Sequence, residues 1–239
     1  MLTLHHLRQS RSFRIIWLLE ELGLDYKLIS YDRQNGLAPN ALKKIHSMGK
    51  APILQDGTRM LVESAHIIEY LIDHYDNTAK NNAVCNSPNL TAGKSLRPDY
   101  GSKAYEQYRY WLHFTESSLM PLLVMRLAFD MSIKKSPIGI KQVAKLIKHG
   151  IEKGYLTSTL HSELALLDEH LADNKWLCGQ IFTGADIQLA FAIDKLSATE
   201  KKQYRHLIGW LKQCQNRTAY QIAEQKACLL YTSDAADER

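Results

Sequence analysis

The stretch that decides the fold reads Gly49-Lys-Ala-Pro-Ile-Leu-Gln-Asp-Gly57, then Thr58-Arg-Met-Leu-Val62, then Glu63-Ser-Ala-His-Ile-Ile-Glu-Tyr-Leu-Ile-Asp-His-Tyr75. Asp56-Gly57 between two apolar triplets predicts a β-hairpin with a two-residue turn. A helix is predicted next, with Ser64 as its N-cap and one apolar face formed by Ala65, Ile68, Leu71, Ile72 and Tyr75. The stretch therefore predicts a hairpin followed by a capped helix.

The same stretch offers groups that suit a small zwitterionic peptide. Pro52 favours an extended Ala51 and is compatible with a cis peptide bond, which leaves the Ala51 backbone free to pair with an extended ligand. The free N–H groups at the start of the helix, together with Ser64, suit a carboxylate, and Glu63 suits an ammonium group. We expect these three features within about 10 Å of one another.

The residues before this stretch predict a βαβ unit and a short helix. A strand is predicted at residues 2–5, a helix from Phe13 to Leu22 with Gly23 as its stop, and a parallel strand over residues 24–32. The short helix is predicted over residues 39–46. With the hairpin and the capped helix, the order is βαβ-α-ββα, which is that of the thioredoxin fold.

The residues after it predict a second, all-α domain. A helix from Lys103 to Met131 should be kinked or restarted at Pro121, and a helix over residues 140–172 can bend or break at its glycines. Thr183 and Asp186 form a capping box before an apolar helix that should be buried in the bundle. Two shorter helices are predicted over residues 201–213 and 218–227.

These patterns predict an α+β protein with a thioredoxin-like domain followed by an all-α helical bundle domain. The last residues lack helical periodicity and resemble translated sequencing-adaptor read-through, so we expect a non-native tail there. The expected limits are 1–76 for the thioredoxin-like domain, 77–102 for a linker, 103–227 for the helical domain and 228–239 for the tail.

Composition bounds the class of protein. The chain has 239 residues, 45% of them hydrophobic and 23% charged, which is typical of a soluble globular protein. It contains no 18-residue apolar run and no signal-peptide pattern, so we expect a cytoplasmic protein with no membrane span. The net charge of +5 is modest and scattered, which disfavours nucleic-acid binding. The four cysteines and the histidines lack metal-ligand spacing, so no metal site is expected.

Two motifs resemble the glutathione S-transferase family. They are Lys50-Ala-Pro-Ile-Leu54 with Glu63-Ser-Ala-His-Ile-Ile-Glu-Tyr-Leu71, and Thr183-Gly-Ala-Asp-Ile-Gln-Leu189. The resemblance covers about residues 2–227 apart from the linker. It implies a homodimeric glutathione transferase with a role in detoxification, which joins the thiolate of its co-substrate glutathione to hydrophobic electrophiles without another cofactor. It also allows glutathione-dependent peroxide reduction, which uses the same thiolate.

The resemblance also implies the site residues. Ser10, four positions before Arg14, resembles the serine that contacts the glutathione sulfur in serine-type members, and Ser12 is the alternative, more simply interpreted as an N-cap. No cysteine lies near, which argues against the cysteine-type members. The implied glutathione contacts are Lys50 with the glycyl carboxylate, Ala51 and Pro52 with the cysteinyl backbone, and Glu63 and Ser64 with the γ-glutamyl end.

A serine hydroxyl together with the start of a helix is sufficient to ionise the glutathione thiol without a proton-abstracting base. A thiol of pKa about 8.5 must be lowered by roughly 2 units, or about 2.7 kcal/mol, to ionise at neutral pH. One hydrogen bond to a charged acceptor contributes about 1.5–3 kcal/mol, and a helix start adds about 0.3–1 kcal/mol. Ser10 is therefore expected to donate a hydrogen bond to the thiolate and not to act as a nucleophile. The chain contains no Gly-x-Ser-x-Gly motif, which argues against a serine hydrolase.

A non-catalytic interaction module with the same fold is the alternative from another functional class. Such a protein is expected to have lost the ligand-binding groups, whereas Ser10, Ala51-Pro52 and Glu63-Ser64 are all present. The aromatic residues of the first predicted bundle helix, Tyr105, Tyr108, Trp111 and Phe114, are expected to pack the core more than to face an electrophile.

Overall fold

A computed structural model describes residues 1–76 and 95–229 of the chain. The first part has the predicted βαβ-α-ββα order, which confirms a thioredoxin-like domain. Its elements are β1 (Leu2–Leu7), α1 (Phe13–Glu21), β2 (Tyr26–Tyr31), α2 (Asn40–Ile45), β3 (Ile53–Asp56), β4 (Arg59–Val62) and α3 (Ser64–Leu71), which a π-helical turn continues over Ile72–Asp76.

The four strands form one mixed sheet in the order β2-β1-β3-β4. β1 and β2 are parallel, as a right-handed crossover through α1 requires, and β3 is antiparallel to both β1 and β4. The predicted hairpin turn is present, and Gly57 takes a positive φ of 57° there, which a glycine adopts without steric cost. The carboxyl ends of β1 and β4 and the amino end of β3 consequently lie at one edge of the sheet.

All the named elements of the second part are helices, which confirms the predicted bundle. Of the described helices, none combines the length and apolar character needed to cross a membrane. The elements are α4 (Lys103–Phe114), α5 (Met120–Lys135), α6 (Ile138–Ile151), α7 (Thr157–Asp173), α8 (Gly184–Asp194), α9 (Ala198–Gln203), α10 (Arg205–Gln215) and α11 (Thr218–Leu229), with π-helical turns at Thr115–Leu119 and Glu152–Leu156.

One helix prediction agrees with the structure and another differs from it. The helix expected over residues 140–172, with a bend or break at its glycines, contains a π-helical turn that includes Gly154, whereas the single helix expected over residues 201–213 is two helices. Tyr204 separates these two, because its φ of −117° and ψ of 80° are not helical. Ser197 starts the first of them through a capping box with Glu200, a signal that the sequence carries but that helical periodicity alone does not reveal.

Helix α8 is buried nearly all round and forms the centre of the bundle, as predicted. The capping box of Thr183 and Asp186 is present at its start. The start of α8 also approaches α3 closely: a Cβ at Gly184 would lie 2.7 Å from Ile72 and 2.8 Å from Ile68. A larger residue at this position would force the Ile68 and Ile72 side chains to shift where the two domains pack together.

The predicted linker falls mostly on residues 77–94, which lie outside the described residues, as do residues 230–239 of the predicted tail. Hydrogen bonds link the described residues on either side of residues 77–94. Asp76 accepts a hydrogen bond from the Leu96 backbone N–H at 3.0 Å, and the Leu96 carbonyl accepts one from Gly184 N at 2.9 Å. Leu96 itself is buried in the core that both domains share.

Candidate functional site

The sheet places the predicted site residues at one edge. In the strand register, His5 lies opposite Ile53, which in turn lies opposite Val62. Ser10 follows β1, Ala51 and Pro52 precede β3, and Glu63 and Ser64 follow β4. All of these residues thus lie beyond the same edge. The Ala51–Pro52 peptide bond is cis, with which the sequence-based expectation agrees.

Ser10 borders a cavity of about 190 Å³ between the two domains. Its side chain is largely but not fully buried, with 8% of the residue surface exposed. Aromatic side chains from three helices also line the cavity, namely Phe13, Phe191 and Tyr220. A hydroxyl group therefore lies at the wall of a partly aromatic cavity, on the loop that follows β1.

Ser12 has a different environment from Ser10. It occupies the N-cap position of α1, as its alternative interpretation expects, but its hydroxyl makes no capping hydrogen bond and is fully buried. The Ser12 Oγ atom accepts a hydrogen bond from Leu7 N at 3.1 Å and lies 2.8 Å from His6 Nδ1 and 2.7 Å from Ser10 Oγ. Ser12 does not line the Ser10 cavity, so of the two serines the structure places Ser10 beside it.

The predicted cap of α3 is also shifted by one residue. Glu63 occupies the N-cap position and Ser64 is the first helical residue, with no side-chain cap. Glu63 has φ 69° and ψ 121°, a combination that costs a non-glycine residue of order 1–3 kcal/mol and that is typical of functional sites. Its side chain is exposed, so the carboxylate is available to a ligand at the sheet edge.

The Ser64 hydroxyl belongs to a partly buried network, which we call the interdomain polar cluster: Arg11, Arg14, Ser64, Glu116 and Gln188. Arg14 Nη1 donates to Ser64 Oγ at 3.0 Å and to the Glu116 carboxylate. Gln188 Nε2 lies within hydrogen-bond distance of both Ser64 Oγ, at 3.3 Å, and Glu116 Oε1, at 3.2 Å. Arg11 Nε completes the cluster with an ion pair to Glu116 at 3.1 Å. The cluster joins α1 and α3 of the first domain to the π-helical turn after α4 and to α8 of the second.

Arg14 brings a positive charge to the start of α3. Burial lowers the pKa of its guanidinium to about 10, and the neighbouring Glu116 carboxylate opposes that shift, so the group stays protonated at neutral pH. Its Nε and Nη2 atoms are buried and have no hydrogen-bond partner among the described residues. Buried guanidinium N–H groups without acceptors are costly. The contribution of Arg14 to a site at the start of α3 is therefore its positive charge and its hydrogen bond to Ser64.

The other sequence-predicted residues have simpler environments. Lys50 is exposed, and among the described residues no ion pair to it is found. No cluster of three or more His, Cys, Asp or Glu side chains in residues 1–76 and 95–229 could hold a metal ion. Tyr108, Trp111 and Phe114 are buried in the core. Phe114 also borders, together with Tyr105, a separate groove that does not include Ser10.

Five site residues were not predicted from the sequence: Arg14 as a charge next to Ser64, Glu116, Gln188, Phe191 and Tyr220. Arg14 was noted only for its spacing from Ser10, and Gln188 lies inside the second motif, so both had a sequence signal. Glu116 had none, because its position depends on the π-helical turn at Thr115–Leu119. Extra residues of this kind in a helix are common at functional sites but leave no simple pattern in the sequence.

Known proteins share the motifs and the fold. Residues 4–79 match the family model for the glutathione S-transferase N-terminal domain, and residues 145–218 match the model for the C-terminal domain. Glutathione S-transferase 3 of Schizosaccharomyces pombe is 36% identical over 95% of this chain and 88% of its own length. Glutathione S-transferase 1 of Saccharomyces cerevisiae is 27% identical over 95% of both chains.

A solved structure shows the same relationship. The crystal structure of a glutathione S-transferase from Actinobacillus pleuropneumoniae aligns with a TM-score of 0.72 and 32% identity, covering 95% of this chain and 93% of that one. Identity at this level over nearly the whole length, with both domain models in the expected order, leaves a single assignment: the chain belongs to the glutathione S-transferase family.

Proposed function

We propose that this glutathione transferase holds glutathione along the sheet edge and joins its thiolate to small aromatic electrophiles. The observation that carries the proposal is the convergence at that edge of Ser10, the cis Ala51–Pro52 segment and Glu63-Ser64, beside a cavity with aromatic walls. In this arrangement Ser10 is the catalytic residue, because its hydroxyl donates to the reacting sulfur.

The γ-glutamyl end of glutathione is the part with most support. Its ammonium group pairs with the exposed Glu63 carboxylate, and its carboxylate meets the start of α3 near Ser64, where Arg14 adds a buried positive charge. Ala51 offers its backbone to the cysteinyl residue, as an added strand would. Lys50 is exposed and free to pair with the glycyl carboxylate.

The size and lining of the cavity favour a single-ring electrophile. Its volume is about 190 Å³, and a cavity of about 150 Å³ is large enough for benzene. Phe13, Phe191 and Tyr220 can pack against a ring.

The first test separates a transferase from a non-catalytic module. We expect the protein to be retained on immobilised glutathione, to be eluted by free glutathione, and to conjugate glutathione to a halonitrobenzene. Loss of both retention and activity would support the non-catalytic module, whereas retention without conjugation or hydroperoxide reduction would contradict the transferase activity but not glutathione binding. Failure of both retention and conjugation would contradict the proposed function, and a hydroperoxide assay on the same sample measures the related peroxidase activity.

We also propose a cytoplasmic homodimer with a role in detoxification, within the domain limits expected from the sequence. Apolar side chains of α6 are strongly exposed in the single chain, with Ile138 at 92% and Leu146 at 71%, which is typical of a surface that a partner covers. Light scattering should give a mass of twice the 27.3 kDa of one chain.

A pair of variants tests whether α6 takes part in this dimer. Leu146→Glu should shift the protein towards monomer, because it places a charge on the exposed apolar face of the helix. Lys145→Glu changes the charge at the neighbouring position and should leave the dimer intact. A dimer that tolerates both changes excludes this surface, and a monomeric wild-type protein contradicts the homodimer.

A further inference from the structure

His6 is joined to Ser10 through Ser12, and it is as buried as the residues of the hydrophobic core. His6 lies on β1 with 2% of its surface exposed and also lines the Ser10 cavity. Its Nδ1 atom lies 2.8 Å from Ser12 Oγ, and its Nε2 atom is buried without a hydrogen-bond partner among the described residues. Three side chains therefore form one continuous chain of contacts, from His6 through Ser12 to Ser10.

Ser12 Oγ has more neighbours than hydrogen-bonding positions. A serine hydroxyl has one hydrogen and two lone pairs. Ser12 Oγ has four polar neighbours: Leu7 N at 3.1 Å, Leu7 O at 3.2 Å, His6 Nδ1 at 2.8 Å and Ser10 Oγ at 2.7 Å. Leu7 N–H can only donate, so it fills one lone pair. The second lone pair is left for either His6 or Ser10.

We propose that His6 is the positioning residue that fills this second lone pair from Nδ1–H and so directs the Ser10 hydroxyl hydrogen towards the glutathione sulfur. With both lone pairs of Ser12 filled, Ser10 cannot donate to Ser12. The Ser12 hydrogen then goes to Ser10 Oγ at 2.7 Å or to Leu7 O at 3.2 Å, and the Ser12 backbone N–H donates to Ser10 Oγ at 3.2 Å. With either acceptor, Ser10 does not donate to Ser12, and its own hydrogen is left for the ligand.

The opposite tautomer gives the opposite result. If Nε2 carries the hydrogen, Nδ1 accepts from Ser12, the free lone pair of Ser12 can accept from Ser10, and the Ser10 hydrogen turns away from the sulfur. That tautomer would also bury an N–H donor without an acceptor, whereas the Nδ1–H tautomer leaves only an unused lone pair. Burial, assisted by the nearby Arg8 charge, lowers the pKa of His6 to about 4, so the ring is neutral at pH 7 and holds a single hydrogen.

The inference rests on the proposed function, and variants of two neighbouring histidines test it. In His6→Leu we expect about three- to tenfold less thiolate of bound glutathione at neutral pH, because the hydrogen bond from Ser10 is then shared with Ser12. His6→Asn, which keeps a donor near the Nδ1 position, should restore most of the thiolate. His5→Leu is the matched control: His5 is equally buried on the same strand, but its Nδ1 lies 2.9 Å from the Tyr31 hydroxyl and not near the serines.

Ultraviolet absorbance of the thiolate across pH provides the readout, repeated in the Ser10→Ala background. If His6 acts through Ser10, His6→Leu should have no further effect once Ser10 is alanine. An equal shift in both backgrounds, an equal shift in His5→Leu, or no shift at all would overturn the proposal.

A measurement on the wild-type protein covers the case in which His6→Leu fails to fold. Long-range 1H–15N spectra distinguish the two neutral imidazole tautomers, and the His6 signals are those missing from His6→Asn. An Nδ1–H pattern is expected, and an Nε2–H pattern would overturn the proposal even if glutathione binding and conjugation were normal. If the protein fails to bind glutathione, the proposed function is wrong, while the spectra still report the His6 tautomer.

Discussion

Ser10→Ala should raise the pKa of the bound glutathione thiol by about one to two units and lower kcat/KM at neutral pH by roughly tenfold or more. The change removes the only predicted donor to the sulfur. A hydrogen bond to a charged acceptor is worth about 1.5–3 kcal/mol, and one pKa unit corresponds to about 1.4 kcal/mol. Because this donor favours the thiolate over the thiol, the loss should be larger in kcat/KM than in glutathione affinity at low pH.

The experiment measures thiolate absorbance against pH and conjugation rates on the same preparations. Ser10→Thr keeps a hydroxyl group at the cavity wall and should retain more thiolate than Ser10→Ala. Ser117→Ala, a change of the same size at an exposed helical serine, serves as the matched control. If Ser10→Ala titrates like the wild-type protein, Ser10 has no part in activating the sulfur.

The sequence predicted local structure correctly wherever the interactions that form it lie within a few residues. Asp56-Gly57 defines a hairpin turn from two neighbouring residues, and Ala51-Pro52 needs only its own peptide bond. The capping box of Thr183 and Asp186 is likewise complete within four residues. Such features are readable because the interactions that form them close within a few positions of the chain.

The rest of the site depends on how distant helices pack. Glu116 meets Arg14 across 102 positions, and Gln188 meets Ser64 across 124, so no local pattern could pair them. The error at Ser64 has the same origin. Serine is a favoured N-cap residue, but here its hydroxyl is taken by Arg14 and Gln188, while Glu63 at the cap position has a positive φ. A tertiary contact overrode a local preference.

Of the proposed substitutions, Asp186→Ala should cause the largest loss of stability. We expect it to lower the free energy of unfolding by about 3–5 kcal/mol, of a total that is typically 5–15 kcal/mol. Asp186 is fully buried. Its carboxylate accepts hydrogen bonds from Leu177 N at 3.0 Å, Trp210 Nε1 at 2.9 Å, and both Thr183 N at 2.9 Å and Thr183 Oγ1 at 3.1 Å. Alanine leaves three buried N–H donors without acceptors and removes the cap of the central helix.

Urea unfolding of Asp186→Ala beside Asp194→Ala tests this expectation at matched temperature and pH. Asp194 ends the same helix, but its side chain is one-third exposed and paired with Lys195, so its loss should cost less than about 1 kcal/mol. Equal losses in the two variants would show that the buried carboxylate contributes no more than a surface ion pair.

The pH dependence of the stability of Asp186→Asn separates the effect of the carboxylate charge from the effect of its hydrogen bonds. Burial raises the pKa of Asp186 to about 6 despite the hydrogen bonds that lower it. Between the unfolded pKa near 4 and this value, the folded state binds more protons than the unfolded chain, so this group's contribution to stability falls as pH rises. Asn cannot ionise, and it can still accept from Leu177 and Trp210 through one oxygen. The free energy of unfolding of the wild-type protein should therefore exceed that of Asp186→Asn by more at about pH 4.5 than at pH 7. A difference that grows with pH would show that the carboxylate is fully ionised in the folded protein.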